Sequence, residues 1–245
     1  MLFIKKIIIP FSIIFSTLPC FATSHTAPIT GFAHSFLTMK PIPQATITIF
    51  ETGEKTVTDD NGKFGPIQYP IGKPITLIFS KPGFVTTQSD TAIVPKEGFT
   101  QANNNFTFQV PSDYVFLLLK KTIGATEDPN SCHVTATITA AHKTLDDYVQ
   151  GEKDAIVRLI PAVTEKPFYF DIFLRGPLKD RTYPFATGLT KSSPDGGVAF
   201  FNLPPRDEPY RMIAEKNGIT FSEAKFICRK GIFINMSPPR GPMVQ

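Results

Sequence analysis

Four acidic side chains, Asp146, Asp147, Glu152 and Asp154, crowd around Tyr148. Carboxylates accept hydrogen bonds from sugar hydroxyls and pair with basic peptides, so Asp146, Asp147, Tyr148 and Glu152 are the candidate ligand-binding residues. The plainer reading of the same run is a solvated loop. Asp59, Asp60, Asn61 and Asp195 offer hard oxygens to calcium, but that ion takes six to eight ligands. The same residue types close tight turns by local hydrogen bonds, and they are read here as turns. His25 is the candidate metal ligand. A chain cut after Ala22 begins Thr23-Ser24-His25, and its amine, two deprotonated amides and imidazole make the square-planar nitrogen set that Cu(II) or Ni(II) favours. An exported chain can also acquire that arrangement by accident.

Two cysteines, Cys132 and Cys228, follow the segment that export would remove. In an extended chain successive side chains alternate, so Cys132 shares a face with Val134, Ala136 and Ile138, and Cys228 with Ala224 and Phe226. Both thiols should enter one core, and in an oxidising compartment they should form a disulfide. A reactive thiol would need an exposed, electropositive setting, which neither flank supplies. No Gly-x-Ser-x-Gly and no phosphate-binding glycine loop occurs. No catalytic residue and no cofactor is therefore expected.

The chain opens on Lys5 and Lys6, then an apolar run over 7–19, then Cys20-Phe21-Ala22. That is the order of a secretory signal. The run is interrupted by Pro10 and Ser12 and is shorter than the roughly 20 apolar residues needed to span a bilayer, so cleavage after Ala22 is expected. Leu18-Pro19 is a poor match to the small residues that precede a lipidated cysteine. Without Lys5 and Lys6 the chain holds 23 basic against 21 acidic residues, a net of +2. Such a balance gives no field that argues for nucleic acid or an anionic membrane. The remainder suffices for two domains of roughly 100 residues each. The sequons at Asn105 and Asn235 would take glycans only in a eukaryotic secretory route.

These candidates must be held by elements, and the chain repeats its elements. Thr58-Asp59-Asp60-Asn61-Gly62-Lys63-Phe64 aligns with Ser193-Pro194-Asp195-Gly196-Gly197-Val198-Ala199, 135 residues on, in a register without a gap. Asp60 falls on Asp195, Gly62 on Gly197, Pro70 on Pro205, Lys81 on Lys216 and Gly83 on Gly218. The chain reads as one β module used twice. Alternation predicts strands over 29–36, 45–51, 55–58, 75–80, 105–110 and 114–120, then over 133–139, 155–161, 168–174, 198–202, 210–215 and 225–228. Helical periodicity is hard to find. Residues Tyr114, Tyr169, Phe173 and Phe201 are expected on exposed strand faces, where rings can stack on sugars.

The first module resembles the carboxypeptidase regulatory-like family, a transthyretin-like β-sandwich of about seven strands. The resemblance rests on Thr30-Gly31, the turn at Pro41 and Pro43, Ala45-Thr46-Ile47-Thr48-Ile49, Thr58 to Phe64, Pro70-Ile71-Gly72 and Lys81-Pro82-Gly83-Phe84. It covers most of 28–120; the second module matches more loosely, with about 30 residues intervening where the first has a short hairpin. The expected organisation is an all-β tandem of sandwiches: an export signal at 1–22, a sandwich at 28–120, a linker at 121–131 and a second sandwich at 132–240. The resemblance implies a module that accompanies an enzyme or binds a partner. None of His25, His34, His133 or His142 is followed by the spacing of a zinc carboxypeptidase. The chain lacks the Tyr-Arg-Gly-Ser ending of hydroxyisourate hydrolases and the His-x-His of intradiol dioxygenases. The expectation is an exported, periplasmic or extracellular, non-enzymatic protein that binds a glycan or a protein. The rivals are a secreted hydrolase or metal-dependent enzyme, and a structural envelope component that pairs by strand addition.

Overall fold

The computed structural model describes residues 25–101, 104–126 and 128–245. The expected export segment, with Cys20 and the expected cut after Ala22, lies outside the described residues.

In the first half, β1 (Thr26–Ser35) runs antiparallel to β4 (Lys63–Pro70) and parallel to β7 (Phe106–Val110). A second layer has the order β6 (Thr87–Ile93), β5 (Pro74–Ser80), β2 (Thr46–Ile49), β3 (Lys55–Val57). Ile29 and Ala33 of β1, Ile47 and Ile49 of β2, Phe64 of β4, Leu77 and Phe79 of β5 and Phe108 of β7 close one core between the layers. Alternation explains the inward set: Thr46 and Thr48 alternate with buried Ala45, Ile47 and Ile49. The motif residues meet in space. A Cβ on Gly31 would collide with the Phe64 ring and the Phe106 carbonyl, and one on Gly62, whose φ is 73°, with the Ala33 carbonyl.

The second half follows the same strand plan. β8 (Cys132–Thr137) is antiparallel to β13 (Gly197–Leu203) and parallel to β16 (Phe233–Met236), and β14 (Tyr210–Glu215) lies between β9 (Ile156–Ile160) and β15 (Ala224–Phe226). Short strands β10 (Phe168–Tyr169), β11 (Asp171–Ile172) and β12 (Thr182–Tyr183) occupy the long β9–β13 connection, so the single strand expected over 168–174 is broken. Cys132 of β8 and Cys228, just beyond β15, form a disulfide with Cα atoms 5.6 Å apart, tying one sheet of this half to the other.

Two expectations need correction. First, 114–120 is the core of a helix, α1 (Asp113–Thr122). Its run of apolar residues suits strand or helix equally; the ends decide. Ser112 caps it by accepting from the Val115 N–H at 3.3 Å, Asp113 sits at the positive end and Lys120 and Lys121 at the negative end. Phe116 is then buried against Phe233, with ring centroids 5.5 Å apart. Second, the repeat is not free of gaps. Thr58 Oγ1 accepts from Ala45 N and donates to the Ile42 carbonyl, and Ser192 Oγ does the same with Ala155 N and the Glu152 carbonyl. Gly62 and Gly196, both at positive φ, each donate to the carbonyl three residues back. Gly62 therefore corresponds to Gly196, while Gly83 and Gly218 keep the longer spacing. The two halves also share a sheet. β6 pairs in parallel with β16, Thr87 opposite Phe233 and Gln88 opposite Ile234, so that one eight-stranded sheet, β10-β13-β8-β16-β6-β5-β2-β3, crosses both. No strand was expected at β6; its residues Thr87, Gln88, Ser89 and Asp90 are polar and are nonetheless buried at this seam.

Candidate functional site between the two halves

A cleft of about 420 Å³ opens where the outer face of the β4-β1-β7 sheet meets the loop after β8 and the tail after β16. Phe32 and His34 lie on one face of β1, two residues apart, while Ala33 points into the core. Their rings are stacked, with centroids 5.9 Å apart and planes within 8°. Four amide side chains line the same cleft: Asn61 from the turn before β4, and Gln101, Asn104 and Asn105 from the approach to β7. The far wall carries Lys143, Thr144, Leu145 and Asp146, and the floor is closed by Pro238 and Pro239. Burial holds His34 below the ordinary histidine value, with the Asp146 carboxylate opposing. Its Nδ1 has no hydrogen-bond partner among the described residues.

The floor is held by Arg240. Its guanidinium lies over Phe99 at 4.2 Å and Phe106 at 4.0 Å, reaches Asp90 Oδ2 at 3.5 Å, and donates to the Asn104 carbonyl at 2.7 Å. Burial pushes the Asp90 carboxyl above the usual carboxylate range and the Arg240 guanidinium below its own, each opposed by the other's charge. The tail then returns to the second half, where Val244 N donates to the Thr139 carbonyl. One segment thus sets the spacing of both walls. Asn235 adds to the seam: its Oδ1 accepts from Gln109 N and from Ser237 Oγ. At 8% exposure it is no glycan acceptor in the folded chain.

The four candidate ligand-binding residues separate. Asp146 faces the cleft. Asp147 is used by its own turn, accepting from the Thr144 N–H at 2.9 Å and pairing with Lys143 at 3.3 Å. Those contacts draw its carboxyl below the usual range. Tyr148 lies under the Arg181 guanidinium at 4.0 Å, and Glu152 pairs with Lys216 at 2.5 Å. Of the aromatic residues expected on exposed strand faces, Tyr169 and Phe201 are buried, at 1% and 8%, and Tyr114 is exposed on α1. Phe32 and His34 were missed, although their spacing within an alternating strand was the available signal. The Asp59 turn closes as expected, Asp59 Oδ1 accepting from Asn61 N and Lys63 N. His25 is exposed and its carbonyl receives the Ile71 N–H at 3.0 Å, while Thr23 and Ser24, needed for the proposed metal set, lie outside the described residues. Among the described residues no three His, Cys, Asp or Glu side chains gather as a metal site, and no helix is long and apolar enough to cross a membrane.

No protein-family model and no curated protein matches the chain. Among solved structures it is similar to the shaft pilin SpaA of Lactobacillus rhamnosus GG, at 10% identity and TM-score 0.29 over 89% of this chain and 97% of that one. It is also similar to the TIE protein of Bacillus anthracis, at 15% identity and TM-score 0.27 over 86% and 33% of the two chains. A streptococcal ancillary pilin matches at 8% identity and TM-score 0.25 over 91% and 64%. Values this low carry no assignment of family or function.

Proposed function

We propose that this chain is an exported, non-enzymatic binding protein and that the cleft between its halves receives a glycan. The observation that carries the reading is the stacked Phe32–His34 pair beside Asn61, Gln101, Asn104, Asn105 and Asp146. A pyranose offers an apolar C–H face and a rim of hydroxyls, each both donor and acceptor. Flat rings match the face, and primary amides, which donate and accept from one group, match the rim. A pocket of this size lined by aromatic and amide groups suits a few sugar rings. Export agrees with the secretory order of 1–22 and with the disulfide. The resemblance to carboxypeptidase regulatory-like modules agrees with a binding role.

The test is a glycan array followed by calorimetry on the best ligand. Loss of ring stacking in Phe32→Ala should weaken binding by about 1–3 kcal/mol, which is roughly fivefold to a hundredfold. Asn105→Ala and Asp146→Ala, neither at a positive φ, should each weaken it as well, at unchanged melting temperature. Full affinity in Phe32→Ala, or an array without any specific glycan, would reject the reading.

A further inference from the structure

The connection between β9 and β13 is far longer than that between β2 and β4, and it carries the hairpin β11–β12, which has no counterpart in the first half. At its tip Leu174, Arg175, Gly176, Pro177, Leu178 and Lys179 are all exposed. Leu174 is 73% accessible, the highest of any large apolar side chain among the described residues, and Leu178 is 52% accessible. Two leucines in such positions contribute nothing to the core.

The backbone of the tip is closed on itself. Phe173 N donates to the Arg181 carbonyl at 2.9 Å, Asp180 N to the Phe173 carbonyl at 2.8 Å, Lys179 N to the Gly176 carbonyl at 3.1 Å and Arg181 N to the Leu178 carbonyl at 2.9 Å. Beneath it, Phe173 packs on Tyr183 with centroids 4.9 Å apart. Four donors of the tip are thus used within it, and a shallow seat at the headgroup boundary leaves the N–H groups of Leu174, Arg175, Gly176 and Leu178 to water and phosphate oxygens rather than to hydrocarbon, where each unpaired group would cost several kcal/mol. Within 173–181 the charges are Arg175, Lys179 and Arg181 against Asp180, with Asp171 at the base of the hairpin. Arg181 turns back over the Tyr148 ring, which leaves Arg175 and Lys179 at the rim of the leucine pair.

We propose that this tip docks the protein on an anionic lipid surface, Leu174 and Leu178 entering the boundary of the acyl chains and Arg175 and Lys179 meeting phosphates. Charge complementarity selects this occupant: apolar projections inside a basic rim match a negatively charged interface. The chain's small net charge does not bear on it, because the field that matters is local.

The purified chain should sediment with vesicles of phosphatidylglycerol and phosphatidylcholine in equal parts, and not with phosphatidylcholine alone. Leu174→Ser with Leu178→Ser should weaken that binding about tenfold or more, since each leucine would lose its burial. Arg175→Gln with Lys179→Gln should weaken it and flatten its salt dependence. Because the chain has no Trp, Leu178→Trp reports the tip alone and its emission should shift to the blue on the anionic vesicles. Absence of sedimentation, binding that survives the leucine pair, or an unshifted Trp would each overturn the proposal. A dimer in solution that the leucine pair dissolves would overturn it in favour of a second copy. Glycan binding in the cleft should be the same in all these variants, so the two sites fail separately.

Discussion

At the scale of single residues the most informative group is Asp195. It is buried, accepts from Thr182 Oγ1 at 2.6 Å and Gly197 N at 3.0 Å, and has the Asp171 carboxylate nearby. Burial lifts its pKa from 3.8 to about 6, with the two hydrogen bonds opposing and Asp171 adding to the lift. Between those values the native chain holds a proton that the unfolded chain has released, so stability falls as pH rises from about 4 to 6 and is level above. The shift corresponds to about 3 kcal/mol at most. Asp195→Asn should remove this part of the pH dependence and raise stability at pH 7.5 by about 1–3 kcal/mol. Urea melts at pH 4.5 and 7.5 check it; an equal pH dependence in both chains would refute it. This turn also shows what was legible: Asp195 reads as a turn residue from its neighbours, but its burial comes from Thr182 and β12, which the sequence did not bring near it.

At the scale of elements the disulfide and α1 teach opposite lessons. Alternation put both cysteines on inward faces, and Cys132 and Cys228 meet because β8 and β15 belong to facing sheets of one half. The bridge closes a loop of sequence separation 96, which the chain-entropy model values at about 4–5 kcal/mol. Cys132→Ala with Cys228→Ala should lose that much in chemical denaturation, and a loss under about 1 kcal/mol would contradict the model. In α1, by contrast, the apolar run over 115–119 had no period of its own. Its cap at Ser112 and its charged ends were present in the sequence, yet the face that packs, Phe116 and Leu119, was settled only by Phe233, Phe201 and the surrounding cluster.

At the scale of the whole molecule the governing feature is the shared sheet. β6 of the first half pairs with β16 of the second, and Arg240 of the tail is buried against Asp90 and two phenylalanine rings of the first. The intact chain should therefore unfold in one calorimetric transition, with two resolved transitions counting against the shared sheet. Arg240→Ala leaves Asp90 buried without its counter-charge and should cost about 3–5 kcal/mol, whereas Arg240→Met with Asp90→Leu should recover most of it. Since the same tail closes the cleft with Pro238 and Pro239, Arg240→Ala should also weaken glycan binding; retention of full affinity would show that the floor does not depend on the latch.

The sequence alone determined the class of fold and much of its punctuation. Alternating isoleucines, paired Asp–Gly turns and inward cysteines are local signals, and a strand's period of two makes each of them readable without the rest of the chain. What only the tertiary structure decided is the seam. Thr87, Gln88, Ser89 and Asp90 look like solvated chain by composition; Thr87 and Ser89 bond within the first half, but Gln88 and Asp90 are buried against distant partners, Ile227 and Arg229 for the amide and Arg240 for the carboxylate. Polar burial is a property of pairs far apart in sequence, so no window of residues announces it. The cleft is made at that seam, from Phe32 and His34 on one side and Asp146 on the other; its walls come from both halves and exist only once they are joined.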